Sequence, residues 1–304
     1  MKILLLGRGG QVGWELQRSL AVLGDLVALD FNAAANPDGL CGDFGNLSAL
    51  ADTVRRVAPD VIVNAAAHTA VDKAESQVDF ARSLNALGPQ VLATEAQKLG
   101  AWLVHYSTDY VFDGSGQVPW REDDPKGPLN VYGQTKLEGE LAVATCTRHL
   151  ILRTSWVYAA RGGNFAKTML KLAQQRDALS VINDQFGAPT SAELLADVTA
   201  HALRAAMARP PLAGLYHCVA GGETSWHGYA SYVLEQAQLL GWALKAGPAQ
   251  VAEVPTSHYP TPARRPLNSR LDTTRLQQTL GLQLPHWQVQ VLRMIQEITP
   301  TDSA

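Results

Sequence analysis

Tyr132 and Lys136 stand four residues apart in Tyr132-Gly133-Gln134-Thr135-Lys136. On a helix that spacing puts both side chains on one face and brings an ammonium near a phenol. A free tyrosine, with a pKa of about 10, holds its proton too tightly for acid–base work at neutral pH. A cation fixed beside it favours the phenolate and moves that pKa toward the working range. Upstream, Tyr106-Ser107-Thr108-Asp109-Tyr110 closes an apolar run and offers a hydroxyl, from Thr108 or Ser107, that can face the phenol across a cleft. A phenol to protonate an oxygen, a hydroxyl to polarise the same carbonyl and a lysine to tune the phenol make a site for hydride transfer to a ketone.

A hydride needs a carrier, and the first turn of the chain is shaped for one. Gly7-Arg8-Gly9-Gly10-Gln11-Val12-Gly13 follows the apolar run Ile3–Leu6 and opens a helical pattern. Gly7, Gly10 and Gly13 let backbone turn sharply, so that a pyrophosphate can reach the free amides of a helix N-terminus. Asp30 ends the second apolar run, where a carboxylate can accept bonds from the adenosine ribose. Asp30 repels a 2′-phosphate and Arg8 attracts one, so the residues point to NADH and NADPH alike. Asn64-Ala65-Ala66-Ala67-His68 sets small residues where a nicotinamide ribose can pack.

The elements that must position these groups alternate. Ile3–Leu6, Leu26–Leu29, Val61–Val63, Trp102–Tyr106 and Leu150–Arg153 are apolar runs of strand length, separated by helical patterns near Gln11–Val22, Leu47–Val57, Val78–Leu99 and Val131–Ala144. Strands apolar throughout, with helices between, predict an α/β fold: a doubly wound, Rossmann-type parallel sheet covered on both faces. We place this dinucleotide-binding domain at 1–155. Residues 156–304 read mainly as a smaller C-terminal substrate-binding lobe, with segments near 179–219 returning to the sheet domain. In that half Phe165–Gln175, Ala192–Met207, Trp226–Leu240 and Gln288–Ile298 read as helices, and Leu179–Ile182 and Leu215–Val219 as strands. Prolines 255, 260, 262 and 266 break the pattern, and a frayed tail is expected from about Thr299.

Bulk properties exclude other classes. The 304 residues are 46% hydrophobic and 17% charged with a net charge of −3, which suits a packed core and argues against nucleic-acid or membrane partners. Cys41, Cys146 and Cys218 are too few and too scattered for a disulfide framework. No run approaches the ~20 apolar residues that span a bilayer, so a cytoplasmic protein is expected.

The combination resembles the extended short-chain dehydrogenases/reductases, and within them the dTDP-4-dehydrorhamnose reductase family. Stretches that carry the likeness include Gly10–Leu20, Val63–Glu75, His105–Gly114, Asn130–Glu140, Arg153–Ala159, Asn164–Leu170, Val181–Asp197, Gly214–His217 and Arg265–Thr273. The resemblance implies a catalytic set of Thr108, Tyr132 and Lys136. It also implies that Gln11, Val12, Asp30, Asp43, Phe44, Ala67, His68, Thr69 and Tyr106 lie beside the dinucleotide, and that Asp109 and Trp156 touch a dTDP-sugar. The implied reaction is reduction of a 4-keto sugar nucleotide by NADPH or NADH. A homodimer around Mg²⁺ held by Glu15, Glu193 and Glu297 follows from the same likeness. From charge alone, Arg264, Arg265 and Arg270 are candidates for the substrate pyrophosphate. Gly9 departs from relatives that carry threonine or serine there. The competing readings are another sugar-nucleotide reductase or epimerase, and a non-catalytic subunit similar to the β subunit of methionine adenosyltransferase, against which the intact tyrosine and lysine argue.

Overall fold

The computed structural model describes residues 1–299. Six parallel strands form the main sheet: β1 (Lys2–Leu6), β2 (Asp25–Leu29), β3 (Val61–Asn64), β4 (Trp102–Thr108), β5 (His149–Thr154) and β6 (Gly214–His217). Their order is β6-β5-β4-β3-β1-β2, so the chain winds one way from β1 to β2 and the other way from β1 through β3. Neither β3 nor β4 exposes a side chain, which is why both read as unbroken apolar runs rather than alternating ones. In register, Leu6 lies opposite both Leu29 and Asn64, and Thr108 lies opposite Thr154. A crevice therefore opens at the carboxyl ends of β1 and β3, where strand order reverses and ligands of such sheets bind.

Helices cover both faces. On one side α1 (Gln11–Ala21) packs on the later helix Ala192–Ala208, sharing a core with Leu16, Leu20, Leu195 and Leu203. On the other, α2 (Leu47–Val57) and α3 (Gly88–Leu99) enclose Leu50, Val54 and Leu92 against Leu4 and Ile62. The helix α4 (Val131–Val143) carries the tyrosine–lysine pair and starts at Asn130, whose Oδ1 accepts from Gly133 N at 2.8 Å. That side-chain cap fixes where the helix begins, and so fixes the face on which Tyr132 and Lys136 emerge.

Three expectations need correction. The single helix foreseen over Val78–Leu99 contains a π turn at Ser83–Leu87. Buried Asn85 accounts for it, since its amide bonds His68 N, His68 O and Thr135 Oγ1, a side-chain insertion that a regular helix would not serve. The strand Leu179–Ile182 does not return to the main sheet. It pairs in parallel with Val251–Val254, a strand the sequence did not suggest, while β6 and the helix Ala192–Ala208 do return. Short helices at Val71–Ser76 and Thr274–Leu280 also went unread. Of the frayed tail, Thr299 is held by Trp242 Nε1 at 2.9 Å, and the residues beyond it lie outside the described ones.

Candidate active site

The glycine turn closes tightly on the sheet. Gly7 has a φ of +83°, and a Cβ there would meet Ala66 N at 2.7 Å; one on Gly13 would meet Gly7 O at 2.0 Å. Only glycine permits either the left-handed backbone or the close approach. Gly10 precedes α1 and supplies no side-chain cap, so the first amides of the helix are free to receive an anion. Gln11 and Val12 begin that helix. Asp30 and Arg8 meet at the far end of the turn: the Asp30 backbone is clamped by Asn36 at 2.8 Å, and the Arg8 guanidinium donates to the carbonyls of Ala28 and Ala35. Gly9 packs against the Asp30 carboxylate, because a Cβ there would fall 2.4 Å from Asp30 Oδ2. These residues fit a dinucleotide.

The other expected cofactor contacts scatter around the crevice. Asp43 is exposed and its Oδ1 accepts from Gly45 N at 2.8 Å. Phe44 is buried against Gly88. Ala67 is half-buried and Thr69 exposed, on the turn after β3. His68 is buried, with its backbone bonded to Asn85, its ring edge-on to Phe80 and its Nδ1 unpartnered. Tyr106 differs from expectation in which part of it serves. Its hydroxyl turns into the core to meet Thr199 Oγ1 at 2.6 Å, whereas its backbone carbonyl accepts from Lys136 Nζ, also at 2.6 Å.

Thr108, Tyr132 and Lys136 converge at the carboxyl end of β4. The Thr108 hydroxyl lies beside the Tyr132 phenol; its Oγ1 accepts from Tyr110 N at 3.2 Å and bonds Asp109 Oδ1 at 3.0 Å. Ser107, the alternative hydroxyl, is buried with no partner. Tyr110 stands edge-on to the Tyr132 ring, with centroids 5.6 Å apart. The expected effect of the lysine is not what this geometry produces. Burial raises the Tyr132 phenol to about 12, with the Thr108 hydroxyl pulling the other way. The ammonium is held instead by the Tyr106 carbonyl, with His105 Nε2 at 3.4 Å. Burial lowers Lys136 itself to about 8, opposed by the charge of Glu140 one turn along α4.

The sugar side is built from residues remote in sequence. Trp156 adopts a left-handed φ of +49°, packs over Gly187 and stacks on Trp226 with ring centroids 3.7 Å apart. Trp226, Phe165, Tyr110, Gln185, Tyr259 and Arg265 line a cavity of about 450 Å³. Of the candidate arginines, only Arg265 reaches it. Arg265 is clamped by Asp72 at 2.7 Å, Arg270 is paired with Glu223 at 2.7 Å, and Arg264 offers its backbone carbonyl to Asn130. Trp226, Phe165 and Tyr259 escaped the sequence reading, the first two because an aromatic at the start of a helix reads as core.

Glu15, Glu193 and Glu297 share a face. Burial first, and then the charges of Glu193 and Glu297, raise the Glu15 carboxyl. Yet Glu15 lies 3.8 Å from Arg18 and Glu193 lies 3.1 Å from Arg293. Among the described residues no three carboxylate, imidazole or thiolate groups are placed to hold a metal ion. The expected metal set is thus not assembled within one chain, because arginines neutralise two of its members.

Comparison with known proteins agrees with this geometry. The family model described as the RmlD substrate binding domain matches residues 1–299. The dTDP-4-dehydrorhamnose reductase of Shigella flexneri is 59% identical over 302 residues, with 99% of each chain covered. The crystal structure of a dTDP-4-dehydrorhamnose reductase from Clostridium acetobutylicum superposes with a TM-score of 0.88 at 35% identity, covering 99% of this chain and 100% of that one. That of the Bacillus anthracis reductase, in complex with NADP, gives 0.83 at 32% identity, with 97% and 99% covered. This chain belongs to the RmlD, or dTDP-4-dehydrorhamnose reductase, family.

Proposed function

We propose that this chain reduces the C4 ketone of dTDP-4-dehydro-L-rhamnose to give dTDP-L-rhamnose, the final step in making that sugar nucleotide. The observation that carries the reading is the adjacent Thr108 and Tyr132 hydroxyls at the end of β4, beside a dinucleotide turn and an aromatic cavity. When bound, the nicotinamide of NADPH or NADH supplies the hydride.

The chain's own residues do the rest. Tyr132, held protonated by its burial, donates its proton to the sugar O4 as negative charge develops there. An alkoxide is a far stronger base than a phenolate, so a raised phenol pKa suits reduction and does not impede it. Thr108 orients the carbonyl and adds a second hydrogen bond. Lys136 spends one donor on the Tyr106 carbonyl, which leaves others of its three for the cleft. Trp226, backed by the stacked Trp156, gives a flat apolar wall against which a deoxysugar packs, and Arg265 brings positive charge to the cavity, where the dTDP pyrophosphate would lie.

Cofactor oxidation, followed by absorbance with the keto sugar generated in situ from dTDP-glucose by the preceding dehydratase and epimerase, tests the assignment. Oxidation that depends on the epimerase is expected. Silence from protein that still binds dinucleotide overturns it. The described residues include no helix long and apolar enough to cross a membrane, and a cytoplasmic location fits the nucleotide substrates. We further propose the homodimer about Mg²⁺ at the Glu15, Glu193 and Glu297 face, with carboxylates from two copies completing a hard-cation site. Sedimentation with Mg²⁺ against chelator tests it: a monomer in both refutes it.

A further inference from the structure

We propose that Asp109 is a positioning residue whose protonation directs the Thr108 hydroxyl hydrogen, and so decides whether Thr108 can donate to the keto oxygen. The proposal rests on the reductase reading above. A hydroxyl has one hydrogen and two acceptor sites. Thr108 Oγ1 already accepts from Tyr110 N at 3.2 Å and faces Asp109 Oδ1 at 3.0 Å. While Asp109 is ionised it can only accept, so the Thr108 hydrogen points at the carboxylate. The remaining site on Oγ1 is then open to the hydrogen of the Tyr132 phenol beside it. In that state neither hydroxyl offers its hydrogen to the substrate. Once Asp109 carries a proton on Oδ1 it donates to Thr108 Oγ1. The Thr108 hydrogen swings into the cleft, and with both acceptor sites of Oγ1 filled the Tyr132 hydrogen is left to meet the same oxygen.

The surroundings favour the protonated form. Asp109 is 2% exposed, and its Oδ2 is buried without a partner. A buried lone carboxylate oxygen is costly, and protonation relieves it. Burial raises the carboxyl to about 6, while the Ser269 and Thr108 hydroxyls pull it part of the way back. The other titratable groups that face it are the phenols of Tyr132 and Tyr110, which bring no positive charge. Arg265 and Arg270, on the returning C-terminal segment, are committed to Asp72 and Glu223. A sugar filling the cleft removes more water and raises the carboxyl further, so a fraction of protein charged when empty becomes competent on binding.

The test is the pH dependence of kcat/KM between pH 5.5 and 7.5, below the Lys136 titration. Wild type should lose at least about tenfold across this window, following a single ionisation, with the kcat limb displaced to higher pH. Asp109→Asn cannot ionise and its amide can still donate to Thr108, so its profile should vary less than about threefold. Ser269→Ala, which removes one of the hydroxyls that favour the charged form, should move the wild-type limb upward. A limb unchanged in both variants overturns the proposal. Infrared titration of the Asp109 carboxyl band, taken as wild type minus Asp109→Asn without substrate, reads the ionisation independently of turnover. A midpoint near the ordinary ~4 refutes the proposal and leaves the reductase assignment standing. A midpoint near 6 in protein that never turns over the keto sugar would instead indict the substrate assignment.

Discussion

Arg153→Met should cost about 3–5 kcal/mol of stability, the penalty for leaving a charge buried and unpaired. Arg153 on β5 and Glu140 on α4 are 2% and 4% exposed at their side chains. They meet in a two-pronged bond, with Nε to Oε1 at 2.8 Å and Nη2 to Oε2 at 2.7 Å. The guanidinium also donates to Glu122 O at 3.1 Å and sits 5.1 Å from the Phe112 ring centre. Methionine keeps most of the length and loses the charge, so the single variant reports the stranded carboxylate more than lost packing. Arg153→Met/Glu140→Leu removes both charges and should recover much of the loss, leaving a coupling of at least about 2 kcal/mol. Urea unfolding followed by circular dichroism measures this, comparing midpoints at an unchanged denaturant slope. A single variant that loses under about 1 kcal/mol, or a double variant as unstable as the two singles combined, refutes the argument. The pair also reaches the site, because the Glu140 charge is what opposes the downward pull of burial on Lys136. The stable double variant should therefore hold Lys136 further below about 8.

Tyr132→Phe should lose about 10²–10⁴-fold in turnover while dinucleotide affinity, read by fluorescence titration, stays near wild type; full activity would discard the proton-donor role. Gly9→Ser should displace the Asp30 carboxylate, whose Oδ2 is 2.4 Å from where its Cβ must sit, and shift the NADPH-to-NADH ratio of kcat/KM upward several-fold. An unchanged ratio means that Asp30 does not set the preference. Burial lowers His217 to about 3 and holds His105 well below its ordinary value, with the charges of Arg153 and Lys136 adding to the effect respectively. In the unfolded chain both take up protons near pH 6.5, so the unfolded state binds more protons below that pH. Stability should then fall with acid at about 1.4 kcal/mol per pH unit per histidine below pH 6.5, the His217 share ending near pH 3. In urea midpoints against pH, His217→Gln should flatten part of that slope.

The sequence spoke clearly wherever the determining contact is local or periodic. β3 and β4 were legible because both faces are covered, which demands apolar residues at every position. Tyr132 and Lys136 were legible because four residues are one helical turn. Val251–Val254 was not, since four residues between prolines carry no alternation, and its partner Leu179–Ile182 lies some 70 positions away. The same division runs through the site. Which residues gather at the end of β4 could be read; which groups hold protons could not. The Lys136 ammonium is claimed by a carbonyl of β4, and the neighbouring His105 is held by Asn64 Nδ2 at 3.1 Å, from the register position opposite on β3. Trp156 finds Trp226 only once the C-terminal lobe has closed over β5. A pKa here is set by burial, and burial is a property of the packed whole. Burial therefore outweighs any pull of the lysine one turn away on the Tyr132 phenol: spacing brings the two side chains to one face, and the rest of the fold decides where the charge points.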